Sequence, residues 1–225
     1  MSAVAASARG ASLLILLQIT TRALTFIVNQ VLLRYVSPEL LGLEAQLALY
    51  TITVLYFSRE SIRVAVQRRP DRTDAVVNMA YVSLLIGLPL SFILANLYLR
   101  SDIPDTPLFK ESLIIYAISC IVQLCTEPAF VVAQQRLLFG IRASAEGLAT
   151  VLKCFATCGA AIYGSRTGRD LGVLPFAIGE LTFGVVRFLS YMLQMWSETA
   201  KDSTSLLPKR INASYVFGSE IYFSN

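Results

Sequence analysis

The stretch AVVNMAYVSLLIGLPLSFILANLYL (Ala75–Leu99) holds no Asp, Glu, Lys or Arg. As a helix it would run about 37 Å at ~1.5 Å per residue, enough to cross a hydrocarbon core of about 30 Å. It contains Pro89, and no strict apolar/polar alternation that would suit a barrel strand. A soluble helix of this kind would have to be buried on every side. The spacing therefore predicts a transmembrane helix with few polar obligations, a natural lipid-facing element.

Working outward, five further stretches carry the same signature. They are Ala11–Leu33, Leu41–Phe57, Ser112–Ala133, Ala143–Tyr163 and Val173–Trp196. Polar or proline-bearing segments separate them: Ser37-Pro38, the run RESIRVAVQRRPDRTD (Arg59–Asp74), Arg100–Glu111, Gln135–Arg142 and Ser165–Gly172. The fold class is all-α, a polytopic membrane helix bundle of six transmembrane helices. The chain divides into an N-terminal cytosolic segment (residues 1–10), a six-helix lobe (11–197) and a cytosolic linker with a candidate start of a seventh helix (198–225). The first span is too long for a signal-peptide core and reads as retained.

Composition agrees. Over 225 residues the hydrophobic share is 55% and the charged share 15%, against about 45–50% and 25% in soluble domains. Mean hydropathy is +0.61. A net charge of +4 is too small to mark a nucleic-acid partner. The absence of histidine removes Ser-His-Asp triads and His-ligated metals. Cys120, Cys125, Cys154 and Cys158 lie in apolar runs without a CxxC pair, and read as packing residues. There is no phosphate-binding GxxxxGK[ST] loop. No nucleophile has a base beside it, so no enzyme activity, cofactor or metal is expected.

The basic residues set an orientation. With the N-terminus cytosolic, eleven lie on that side: Arg9, the group Arg59, Arg63, Arg68, Arg69 and Arg72, then Arg136, Arg142, Lys201, Lys209 and Arg210. Five (Arg34, Arg100, Lys110, Arg166 and Arg169) face the other way, and Arg22, Lys153 and Arg187 lie within spans. The excess follows the positive-inside rule. Arg68, Arg69 and Arg72 suit anionic headgroups of membrane lipids.

Polar residues inside the spans are ordered. Gln18, Arg22, Thr25 and Asn29 share one helix face, as do Tyr116, Cys120, Gln123 and Glu127, with Pro128 next to the acid. Glu146, Thr150, Lys153 and Thr157 form another stripe, and Glu180, Arg187 and Gln194 recur every seven residues. Ionisable groups at bilayer depth are costly, at least about 2.5–3.5 kcal/mol on insertion scales. Two arrangements suit them: acids and bases pairing between helices, such as Glu146 with Lys153 or Glu180 with Arg187, or a hydrated central cavity. Arg22 has no acid in its own span, which suits a ligand anion.

Three blocks resemble the Rft family of the multidrug/oligosaccharidyl-lipid/polysaccharide exporter superfamily. LYFSRESIRVAVQRR (Leu55–Arg69) is similar to its F-x-R-E-x-x-R signature. QLCTEPAFVVAQQ (Gln123–Gln135) is similar to its E-x-x-x-E-P-x-x-V-x-A-Q block, with Gln123 where that block has an acid. SAEGLATVLK (Ser144–Lys153) is similar to its A-E-S-x-x-x-x-L-K segment, and Ile15–Arg34 also fits.

The resemblance implies one lobe of a two-lobe flippase-like fold, with the C-terminal lobe missing here. It implies a glycolipid cargo, dolichol-diphosphate oligosaccharide, moved from the cytosolic to the lumenal leaflet of the endoplasmic-reticulum membrane to support protein N-glycosylation, by a flippase or a flippase accessory. Within it, Arg22, Arg34, Arg63 and Lys153 are the expected substrate-binding cations. Glu127 with Pro128 is the expected gate, and Glu146, Glu180 and Arg187 are gating or helix-pairing residues. Two other classes stay open. An ion-coupled exporter of the same superfamily would use Glu44, Glu127 and Glu180. A non-transporting scaffold would hold glycosylation enzymes together.

Overall fold

A computed structural model describes residues 3–32, 34, 36–67, 73–100, 106–202, 207 and 208. Among those residues the regular structure is all helical, without strands. The elements are α1 (Ala3–Leu32), α2 (Pro38–Gln67), α3 (Thr73–Arg100), α4 (Phe109–Cys125), α5 (Glu127–Gln135), α6 (Phe139–Thr167) and α7 (Leu174–Asp202). Among the described residues, five spans are long and apolar enough to cross a membrane: Pro38–Val66, Ala75–Arg100, Phe109–Gln135, Phe139–Thr167 and Leu174–Trp196. Within α1, Ile15–Val28 is a shorter apolar stretch. The chain is a multi-pass membrane protein. The segment expected to start a seventh helix lies largely outside the described residues.

Helix ends differ from the sequence expectation in one consequential way. The basic run after Phe57 was expected to separate two spans, yet α2 continues to Gln67 and carries Arg59 and Arg63 within the helix. The Arg stems are good helix formers, and the run has no Gly or Pro before Pro70 to stop it. Its start follows local rules: Ser37 Oγ accepts the Leu40 amide at 3.4 Å, Pro38 opens the first turn, and Glu39 complements the helix dipole.

The fourth span is broken at Thr126. Proline at 128 has no N–H to donate back to Leu124, so the ladder cannot run through. Thr126 closes α4 by donating its amide to the Gln123 carbonyl (3.2 Å), and Phe130 resumes the ladder on Thr126 O (3.0 Å). The short α5 that results is buried from Glu127 through Ala133. At the far end of α6, Gly168 takes a left-handed φ of 64°, and the next amide, Arg169, reaches back to Gly164 O at 3.1 Å.

Packing places α5 at the centre. Val76, Val77 and Ala80 of α3, Ala129–Ala133 of α5, and Tyr191 and Met195 of α7 form one core. Leu47, Tyr50 and Val54 of α2 meet Leu113, Tyr116, Cys120 and Leu124 of α4 in another. Tyr50 donates to the Ser91 carbonyl at 3.0 Å, satisfying its hydroxyl inside that apolar layer. Helix α7 approaches α6 closely where Gly179 presents no side chain toward Thr157, and α4 where Gly184 presents none toward Ser119. Small residues at such crossings are the usual device in lipid, where apolar surface alone does not drive helices together. On its outer face α3 exposes Val82, Leu85, Ile86, Phe92, Ile93 and Leu97.

Candidate functional site: a basic cavity around Glu127 and Phe130

The polar stripes of α1, α2, α4, α6 and α7 converge on one cavity of about 320 Å³. From α1 come Leu17, Gln18 and Thr21, and from α2 come Arg59 and Arg63. Gln123 of α4 lines the wall near the α4–α5 break. Helix α6 contributes Arg142, Glu146 and Thr150, and α7 contributes Phe183 and Arg187.

Glu127, with its side chain 1% exposed, anchors this wall. Arg63 grips it with two parallel bonds, Nε to Oε2 at 2.9 Å and Nη2 to Oε1 at 2.6 Å. Arg59 adds Nη1 to Oε1 at 3.1 Å. Both carboxylate oxygens are therefore satisfied by fork-shaped, charge-assisted donors, which is what a buried anion requires. Arg59 and Arg63 lie one helical turn apart on α2, so both reach the same acid.

Phe130, one turn after Glu127, collects the cations. Arg63 Cζ lies 4.0 Å from its ring centroid, Arg142 Cζ 5.3 Å and Arg187 Cζ 5.6 Å. Arg187 also lies 5.8 Å from the Tyr191 ring, which meets Phe130 edge-to-face at 6.1 Å. Ring faces attract guanidinium groups within about 6 Å. Arg142 has its own acid, Glu146, at 3.3 Å one turn along α6. Arg187 is 4% exposed and its Nε has no hydrogen-bond partner.

The charge balance is positive. Arg59, Arg63, Arg142 and Arg187 stand against Glu127 and Glu146, a surplus of two. Beside the cavity a second cluster is neutral. Glu180 accepts from Lys153 Nζ at 2.5 Å and from Gln123 Nε2 at 2.9 Å, while Ser119 donates to its backbone carbonyl at 2.8 Å.

Of the cations expected from the sequence, Arg63 lines the cavity. Lys153 is engaged by Glu180. Arg22 lies next to Thr21 on α1 but is exposed, and Arg34 is exposed beyond the end of α1, so neither is brought to this wall. Glu127 and Pro128 occupy the helix break, and Glu146, Glu180 and Arg187 all lie on or beside the cavity. The pairings differ from those the spacing suggested: Glu146 meets Arg142 and Glu180 meets Lys153. Arg59 and Arg142 were absent from the expected binding set. Their signal was present, since Arg59 stands one turn before Arg63, an expected binding cation, and Arg142 one turn before Glu146 of a polar stripe.

A family model described as Rft protein matches residues 6–225. The chain belongs to the Rft family. Its similarity extends to the Man(5)GlcNAc(2)-PP-dolichol translocation protein RFT1 of Yarrowia lipolytica, 32% identical over 91% of this chain and 33% of that protein. The protein of the same name from Schizosaccharomyces pombe is 30% identical over 82% of this chain and 38% of its own length. That of Dictyostelium discoideum is 31% identical over 81% and 35%. The chain thus spans about a third of the length of these curated Rft relatives. No solved structure matches it.

Proposed function

We propose that this Rft-family chain is the amino-terminal lobe of an intramembrane glycolipid translocator. Its cargo is the one its relatives are named for, a dolichol-diphosphate-linked mannose oligosaccharide. The cargo passes from the cytosolic to the lumenal leaflet of the endoplasmic reticulum, with the N-terminus of this chain cytosolic, and supports protein N-glycosylation. The role is carriage and not bond chemistry.

The observation that carries this reading is the surplus of guanidinium groups on a cavity set among membrane-spanning helices. A diphosphate and its sugars cannot enter about 30 Å of hydrocarbon without replacement of their hydration. Fixed guanidinium donors and polar groups such as Gln18, Thr21 and Thr150 offer that replacement, while a polyprenyl tail stays in lipid. Alternating access to the two leaflets calls for a second lobe to move against this one, and the relatives' additional length provides room for it.

Leaflet exchange of the dolichol-linked oligosaccharide, measured in vesicles holding the full-length protein, tests the reading. Exchange above protein-free vesicles supports it. No exchange, together with defective N-glycosylation in cells lacking the protein, would replace translocation with a scaffold role.

A further inference from the structure

Arg187 is the cavity's one cation whose buried Nε is left without a partner among the described residues. Its neighbours are otherwise engaged. Arg59 and Arg63 hold Glu127, and Arg142 holds Glu146. Removing an Arg from water without a partner is expensive, and burial at 4% exposure inside a helix bundle offers little solvent in exchange. The rings of Phe130 and Tyr191 hold the group in place but accept none of its N–H bonds.

Unused donors accumulate around it. A guanidinium has five N–H donors. Arg63 spends Nε and Nη2 on Glu127, and Arg142 spends Nε on Glu146. The guanidinium carbons of Arg63, Arg142 and Arg187 lie 4.0–5.6 Å from the centre of the same ring, Phe130, which brings their other N–H groups together. A lone carboxylate has two oxygens and one charge, too few for this set. The surplus of two positive charges equals the charge of a diphosphate carrying a substituent at each end.

We propose that Arg187, with Arg63 and Arg142 around Phe130, forms a binding site for a doubly substituted diphosphate, and that Arg187 is its selective ligand. This rests on the translocator reading for its biological cargo, but the anion chemistry stands on the geometry alone. Glu127 and Glu146 hold the other arginines in register while the site is empty, and Arg187 is left for the incoming phosphate.

The test uses the purified chain in phosphatidylcholine nanodiscs, titrated calorimetrically with dimethyl diphosphate and, separately, dimethyl phosphate. Dimethyl diphosphate should bind saturably and more tightly than the monophosphate. Arg187→Gln should weaken it about tenfold or more, as loss of charge-assisted hydrogen bonds does. Arg187→Lys should recover part of the loss, because charge returns without the fork. Glu146→Gln should tighten binding several-fold by releasing Arg142, a gain that a misfolded variant could not produce. Arg166→Gln, at the exposed end of α6, should change nothing. Absent binding, equal affinity for the two esters, or an unchanged affinity in Arg187→Gln overturns the site. If that site survives while leaflet exchange fails, the translocator reading falls alone. If exchange proceeds and Arg187→Gln binds normally, the site falls alone.

Discussion

Arg63 and Glu127 are joined by two parallel hydrogen bonds, at 2.9 and 2.6 Å, across the packing of α2 on α5. The two partners are unequal in what they support. Glu127 also holds Arg59, so its removal strands two part-buried cations, whereas removal of Arg59 leaves the bidentate pair intact. Breaking a buried pair by deleting one partner costs about 3–5 kcal/mol. Glu127→Ala should therefore lose about that much stability, and Arg59→Met about 1 kcal/mol or less, as for an ordinary partly exposed pair. Thermal melting in one detergent ranks them, and equal losses would refute the asymmetry.

The Lys153–Glu180 pair, at 2.5 Å, predicts a charge-swap result. Lys153→Glu alone sets two acids face to face, and Glu180→Lys alone sets two bases. Each single variant should be destabilised. The double variant should recover much of the loss, with a coupling of about 1–3 kcal/mol. Gln123 need not obstruct the swap, since its amide can turn to offer its oxygen to the new ammonium. Additive losses in the double variant would show that the two charges do not interact.

Much of this fold is legible in the sequence. Apolar length placed the spans, because bilayer thickness imposes it directly. Helical spacing placed Gln18, Gln123, Glu146 and Arg187 on polar faces, and all four line the same cavity. Spacing fixes a face, though, and not the face it meets. Glu180 and Arg187 are two turns apart on α7, yet Glu180 crosses to Lys153 on α6. Arg59 and Arg142 were read as residues of flanking loops because charge suggested the ends of spans, whereas α2 and α6 extend past their apolar stretches and carry those arginines into the cavity. Arg22 shows the reverse: its face is polar, but the cavity takes Gln18 and Thr21 from α1 and leaves Arg22 exposed.

The crossing of α6 and α7 depends on Gly179. A Cβ there would collide with Thr157 Oγ1 and lie 3.3 Å from the Lys153 carbonyl. Gly179→Ala should cost about 1–3 kcal/mol, the usual range for overpacking. Thr157→Ala removes the colliding hydroxyl, which bonds only its own helix at Lys153 O. Thr157→Ala/Gly179→Ala should therefore melt closer to the unmodified protein than Gly179→Ala does. A double variant no better than the single one would place the conflict in the backbone.

Orientation makes the last prediction. With a cytosolic N-terminus, eight of the basic residues outside the cavity fall on the cytosolic side (Arg9, Arg68, Arg69, Arg72, Arg136, Lys201, Lys209 and Arg210) and five on the other. The positive-inside rule therefore predicts a cytosolic turn between α5 and α6 and a lumenal far end of α6. Gly140 is exposed with open space where a side chain would grow, and Ser165 is exposed near the opposite end of the same helix. Both tolerate a reporter without disturbing the core. In a chain whose four cysteines (Cys120, Cys125, Cys154 and Cys158) are replaced by Ala, Gly140→Cys should react with a membrane-impermeant maleimide in intact, cytosol-side-out microsomes. Ser165→Cys should react only after permeabilisation. Labelling in the opposite sense would invert the bundle and put the arginine-bearing ends of α2 and α6 in the lumen. The cavity would then first meet the wrong leaflet for a cytosolic glycolipid.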